Sequence, residues 1–393
     1  MKRVAIVSEY DPFHNGHKYQ TDMLRKMGAE CIVSILGGTF SQRGNCHIAD
    51  KYFRAEAAVT SGGCDLVLEL PYPYSCSSAE YFARAGVRIA AEFCDSIAFG
   101  CETEEPELLC DIARFTCSDP YKLLLDDYRR RIPDISMPRV NMEIIKDNLS
   151  EKHANEAVQP NNILCIEYLR AIYSLGYRLE PVFIKRFGAD HDSKESCGDI
   201  CSASLVRDKI KSFESWQRFC PDATSDVMKK ASEKGLLGAS LSYAEKAVIY
   251  TLRNISPEHA DLCAECGGGL GRRILNMSSS AGTLSELYDS LATKRYTNAR
   301  IRRAVISLLT GATEADEKSL PEFTCMLASN KSGLSVIKKS QFPVISTISD
   351  IRALDCRRMT ELYINAEKLF SLCYERALPE YAFFSRRPVI MDK

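Results

Sequence analysis

Over roughly the first 210 residues, short apolar runs alternate with segments of helical spacing, and few architectures accept that pattern. The runs are VAIVSEY, CIVSILGG, DLVLELP, SIAFG and YRLEPVFIKRF. Between them, helices are expected near His17–Met27, Asp50–Ser61, Ser78–Glu92 and Asn162–Leu175. Strands separated by helices imply a parallel sheet covered on both faces, an α/β doubly wound fold. In such sheets ligands sit at the carboxyl ends of strands, where the strand order reverses. From about residue 215 the texture changes. SYAEKAVIYTLRNI, TLSELYDSLATKRY and NARIRRAVISLLTG carry helical apolar spacing and few strand-like runs. The expected organisation is therefore a doubly wound parallel-sheet domain over 1–215 and a mainly α-helical domain over 216–393. A late stretch, FTCMLASN then KSGLSVIKK, reads as a strand and helix appended to the helical half.

The strongest chemical signal is S-E-Y-D-P-F-H-N-G-H, from Ser8 to His17, directly after the first run. Pro12 and Asn15-Gly16 make a tight loop, and His17 opens the following helix. Such a helix start offers unpaired N–H groups and a positive dipole end to an anion. His14 and His17, three residues apart, would face one phosphate and stabilise charge developing on its leaving oxygens. A second cradle is ICSASLVRD, where Ser202 and Ser204 open a helix and Arg207 follows one turn on. The preceding GADHDS carries His191 and Asp192, which would close over the site, with His191 a candidate catalytic group. The Gly-rich loop from Gly37 to Gly44 follows the second run and carries Gln42 and Arg43 as candidate contact residues.

Bulk properties narrow the class. With 51 basic and 52 acidic residues the chain is no polycation, so nucleic-acid binding has to come from a local patch. The opening MKRVAIVSEY reads as a strand and not a signal peptide, and no apolar stretch approaches the roughly 18 residues a membrane helix needs. A cytoplasmic protein with no membrane partner is expected. Seventeen cysteines are scattered, and Cys263 with Cys266 form a C-x-x-C lacking a second half-site. Reduced thiols used as small buried hydrophobes are expected, with no metal site.

H-x-G-H after a first strand resembles the signature of the nucleotidyltransferase superfamily. EYDPFHNGH, GGTFSQRG, DLVLELPYPYS, FARAGV, FGCE, PNNILCIEYLRA, SASLVRD and TKRYTNARIRR look like segments of the bacterial tRNA(Met) cytidine acetate ligase family. The resemblance runs from residue 1 to beyond 300. It implies that acetate and ATP give acetyl-adenylate, whose acetyl group passes to the exocyclic amine of the wobble cytidine of elongator tRNA(Met). By the same resemblance ATP, with Mg²⁺ on its phosphates, would be surrounded by one segment. That segment has Val7, Ser8, Glu9, Tyr10 and Asp11 before the turn and Pro12 and Phe13 within it. His14, Asn15, Gly16 and His17 close the turn, and Lys18, Tyr19 and Gln20 begin the helix. Gly100 would let the nucleoside approach, Asn162 would bond it, and Arg186 with Phe187 would reach it. Asp11 departs from the family's usual Asn and brings a negative charge to the phosphate loop.

For RNA, Lys294, Arg295, Arg300, Arg302 and Arg303 provide phosphate contacts and Tyr296 a stacking ring. Ser385-Arg386-Arg387 is a weaker cluster. Two other readings remain at this stage. One is an adenylyltransferase acting on a small phosphorylated metabolite; the other is a non-catalytic nucleotide- and RNA-binding protein. Salt-sensitive tRNA binding separates the ligase from the first, and ATP turnover from the second.

Overall fold

The computed structural model describes residues 2–132, 137–185, 198–293 and 295–392. Five of the expected runs form strands: β1 (Arg3–Ser8), β2 (Cys31–Gly37), β3 (Leu66–Leu70), β4 (Ser96–Cys101) and β5 (Glu180–Lys185). Every residue of β2 and β3 is buried, which is why their sequences are continuous apolar runs without alternation. The helices α1 (Asn15–Lys26), α2 (Lys51–Thr60) and α3 (Ala79–Phe93) make the crossovers. Four more helices between Pro106 and Ala157 precede the Pro160–Leu175 helix that leads into β5.

Neighbouring strands run β5-β4-β1-β2-β3, all parallel. The chain winds outward from β1 through β2 and β3, then crosses back to β4 and β5. The reversal therefore lies between β1 and β4, and the carboxyl ends of those two strands open the crevice where a ligand is expected.

The late strand differs from expectation. Thr324–Ser329 (β6) does not stay with the helical half but pairs antiparallel with β3, Leu66 facing Ser329. Short strands β7 (Val344–Ile345) and β8 (Val389–Ile390) extend the sheet from β6. An uncovered β3 edge would expose a row of unpaired backbone groups, and the returning chain satisfies them.

Residues 241–310 form a helical unit with its own core of Val248, Leu252, Leu270, Ile274, Leu287, Leu291, Ile301, Val305 and Leu308. The Asn298–Thr310 helix is buried on two sides. Ile301 and Val305 enter the helical core, while Ile306 packs with Phe40, Tyr72 and Phe370 in a junction core. Among the described residues the cysteines are free thiols. Cys263 and Cys266 are both buried, and burial pushes the Cys263 thiol up to about 11. No helix among the described residues is long and apolar enough to cross a membrane.

The junction contains a carboxyl group kept protonated. Burial, then the neighbouring Glu265 carboxylate, push Glu317 up to about 8 against the pull of Arg303. Its folded pKa lies above its unfolded one, so unfolding releases a proton as pH rises. Stability is accordingly lost between about pH 4 and pH 8. Glu317→Gln, which keeps the shape without the proton, should be more stable than wild type at pH 8, on the order of 1–3 kcal/mol. Denaturant melts at several pH values check this: the difference should vanish as pH falls toward 4.

Candidate functional site

The β1–α1 turn places its two histidines by mutual capping. His14 is the N-cap of α1: its Nδ1 accepts the Gly16 N–H at 3.0 Å. His17 reciprocates, its Nδ1 accepting the His14 N–H at 3.3 Å. A ring nitrogen that accepts carries no hydrogen, so the network assigns both rings the Nε2–H tautomer. The rings stack with centroids 3.8 Å apart. Both rings line one cavity, beside the helix amino end. A Cβ on Gly16 would come within 2.8 Å of the His14 ring, so a glycine is required there. Tyr10 sits beneath, at a left-handed φ of 43°, its ring 4.8 Å from His17 and 4.9 Å from Phe13. Strain of this kind, in a loop clamped from all sides, is characteristic of functional turns.

That cavity, of about 90 Å³, is lined by His14, Gly16, His17, Tyr19, Gln20, Gly100, Ile184, Lys185, Ile200, Cys201 and Ser202. It lies at the strand-order reversal, with Gly100 near the end of β4 and Ile184 and Lys185 ending β5. Ser202 is the N-cap of the Ala203–Lys211 helix, accepting the Leu205 N–H at 3.2 Å. Ser202 and His17, 185 residues apart, line this one cavity, whereas Ser204 and Arg207, expected to join Ser202 in one cradle, do not. Val7 and Ser8 belong to β1, and Ser8 Oγ lies 2.9 Å from Ser34 Oγ inside the sheet. Asn15 anchors the turn, its Nδ2 donating to the Asp199 and Arg218 carbonyls at 2.9 Å each. Lys18 pairs with Asp22 on the next turn of α1.

A second, larger cleft of about 560 Å³ opens on the other side of the same loop. Glu9, Asp11, Arg43, Ser204, Arg207, Lys211, Ser240, Glu245, Tyr288 and Arg302 are among its lining residues. The Ala203–Lys211 helix therefore serves both spaces, Ser202 facing one and Ser204 and Arg207 the other.

The charge of Asp11 is absorbed by the protein. Its Oδ1 accepts the Ile48 N–H at 2.8 Å, and Arg207 Nη1 donates to its carbonyl at 3.2 Å and lies 3.7 Å from Oδ2. Burial pushes the carboxyl up, but His47, Arg207 and Arg54 outweigh it and hold Asp11 at about 2. It is an anchor for Arg207, whose Nη2 also donates to Ser204 Oγ at 3.1 Å.

Several expectations are corrected. Asn162 does not face a ligand with its amide: the side chain is buried, accepts the Glu102 N–H at 2.9 Å and donates to Glu156 Oε2 at 2.8 Å. It sits inside its helix, whose N-cap is Gln159, and shapes the end of β4. Tyr296 offers no stacking face, being buried with its hydroxyl donating to the Gly268 carbonyl at 2.5 Å. Arg303 is buried too, donating to Glu265 Oε1 at 2.7 Å and to the Gln42 carbonyl at 3.1 Å. Arg300 donates to the Glu265 and Gly267 carbonyls, at 3.1 and 2.8 Å. Arg295 stacks over Tyr296, 5.5 Å from the ring centroid. Of the basic stretch, Arg302 lines the cleft. A helix wedged between two cores has to turn most of its polar groups inward, onto carbonyls. Arg186, Phe187, His191 and Lys294 lie outside the described residues.

Gln42 is tied into the scaffold, its N–H donating to Glu9 Oε1 at 2.7 Å, whereas Arg43 lines the cleft. Arg54 organises this loop and escaped the sequence reading. Fully buried, it donates to the carbonyls of Glu9, Gly37 and Gly38 at the ends of β1 and β2, and to that of Ala49 just before α2. The signal was a helix, KYFRAEAAVT, apolar on nearly every face yet carrying charges.

The family described as HIGH Nucleotidyl Transferase matches residues 1–382. The tRNA(Met) cytidine acetate ligase of Acetivibrio thermocellus is 33% identical over 95% of this chain and 96% of that protein. That of Caldanaerobacter subterraneus subsp. tengcongensis is 29% identical over 99% and 100%. Crystal structures of Thermotoga maritima TmcAL share the fold, at 22% identity and full coverage of both chains. The apo form superposes with a TM-score of 0.91 and the form bound with alpha-thio ATP with 0.90. This chain belongs to the HIGH nucleotidyl transferase family and, with these relatives, to the tRNA(Met) cytidine acetate ligase family.

Proposed function

We propose that the chain is an ATP-dependent ligase that activates acetate as acetyl-adenylate and acetylates the wobble cytidine of elongator tRNA(Met). The observation that carries the reading is the reciprocal histidine cap, which brings two imidazole rings and a helix amino end to one cavity. An acetate oxygen attacks the α-phosphorus, the bond to the bridging oxygen breaks, and pyrophosphate leaves. His14 and His17 stabilise the charge gathering on the departing group. Mg²⁺ would accompany the triphosphate and neutralise part of its charge.

In the second step the cytidine amine attacks the acetyl carbonyl carbon, the carbon–oxygen bond to AMP breaks, and the amine gives up a proton. The 560 Å³ cleft is the route for that amine, because it borders the same loop from the opposite side and carries Arg43, Lys211 and Arg302 for an RNA backbone. Residues 216–310 contribute the far lining of this cleft, so RNA binding is assigned to the surface between the halves. The cytoplasm, where acetate, ATP and tRNA coexist, is the setting.

The test is exchange of labelled pyrophosphate into ATP. Exchange that requires acetate is expected. Exchange that ignores acetate but responds to a small phosphorylated acceptor would instead favour a metabolite adenylyltransferase.

A further inference from the structure

The Ala203–Lys211 helix, which contributes Ser204, Arg207 and Lys211 to the cleft, ends in an unusual way. The Glu214 N–H bonds the Lys209 carbonyl at 2.8 Å and the Phe213 N–H bonds the Ile210 carbonyl at 3.3 Å. This is a Schellman closure, which needs a left-handed residue, usually glycine. Here that residue is Phe213, at φ 56°. Elsewhere the chain uses glycine in left-handed helix ends, Gly176 and Gly311. The phenylalanine contributes nothing to the closure, since its side chain is 97% exposed. The helix end is tied instead by Lys209 to Glu214 Oε2 at 2.8 Å. A large apolar ring is thus held, in a conformation that disfavours it, two residues beyond a cleft-lining lysine.

We propose that Phe213 is a stacking platform for an unpaired base of the RNA substrate, adjacent to the nucleotide that enters the cleft. This rests on the reading of the chain as a tRNA-acetylating enzyme. The site takes single-stranded RNA because the exposed ring follows by two residues Lys211, which lines a cleft that also bears Arg43 and Arg302 alongside Glu9, Asp11, Asp208 and Glu245. A protein partner would be met by a contiguous apolar patch, whereas this cleft mixes four acidic and four basic side chains with serines and a few aliphatic residues such as Ile48, Leu241 and Leu284. Tyr243, half exposed, follows the lining residue Ser242 in the chain.

The experiment measures tRNA(Met) affinity and acetylation for F213G, F213L and F213W beside wild type. F213G relieves the left-handed strain, so its melting temperature should equal or exceed wild type, yet its Kd for the tRNA should rise about tenfold or more. F213L, apolar without a π-face, should bind as weakly, and F213W should restore affinity to within about threefold. Acetate-dependent pyrophosphate exchange without RNA should be the same in all four proteins. Wild-type affinity in F213G and F213L, or failure of F213W to restore it, overturns the stacking role. A wild-type protein that itself neither binds nor acetylates the tRNA overturns the underlying reading, and the platform with it.

Discussion

His17→Ala should lower the rate of acetyl-adenylate formation by about 10²- to 10³-fold, the usual effect of removing one preorganised donor from a developing charge. The same substitution removes half of the reciprocal cap, so some loss of stability accompanies it, about 1 kcal/mol. His14→Asn separates the two roles. Asparagine is among the best N-caps and can still accept the Gly16 N–H, but it has no group where Nε2–H stood. It should therefore melt near wild type and still lose adenylation by about 10²-fold or more. Pyrophosphate exchange and thermal melts, measured on the same preparations, check both. An asparagine variant that exchanges at the wild-type rate would reduce His14 to a capping residue.

Lys51→Ala should destabilise the fold by roughly 3–5 kcal/mol, because it strands two buried carboxylates. Lys51 Nζ donates to Glu69 Oε1 at 2.9 Å, Glu367 Oε1 at 2.8 Å and the Tyr363 hydroxyl at 2.6 Å. All four side chains are buried. Burial pulls the Lys51 ammonium down, but Glu367 and Glu69 more than offset it and keep the amine charged. Thr39 Oγ1 also donates to Glu367, so the network fastens the loop carrying Arg43 to the Arg357–Ser371 helix. Urea denaturation measures the loss. Replacing the lysine and both glutamates together by apolar residues should cost far less than the single change, since no charge is then left unpaired. A single variant as stable as wild type would mean that water reaches the carboxylates.

The sheet around β1 was legible because strands covered on both faces leave nearly unbroken apolar runs, as in CIVSILGG. The histidine pair was legible because its spacing and its place after a strand are themselves the geometry of a capped helix start. Partnership was less visible. FTCMLASN shows a strand, but nothing in it says that the edge it covers is β3, some 260 residues earlier. Polarity also misled. Asn162, Arg303 and Tyr296 look like surface groups in the sequence, yet each is turned inward onto carbonyls, carboxylates or N–H groups. Arg54 and Lys51 hid for the converse reason, as charges embedded in an apolar helix. Phe213 carried no signal in the sequence; its backbone conformation and its exposure single it out.

The measurement that bears most directly on the central claim is transfer of label from acetate to RNA. Purified protein is incubated with ATP, Mg²⁺, labelled acetate and unmodified elongator tRNA(Met), and the tRNA is digested to nucleosides. The account predicts label on one cytidine derivative, acetylated at its exocyclic amine, and none when ATP is omitted. Acetyl-adenylate formed without any label reaching the tRNA would contradict it, and would move the acceptor from RNA to a small amine.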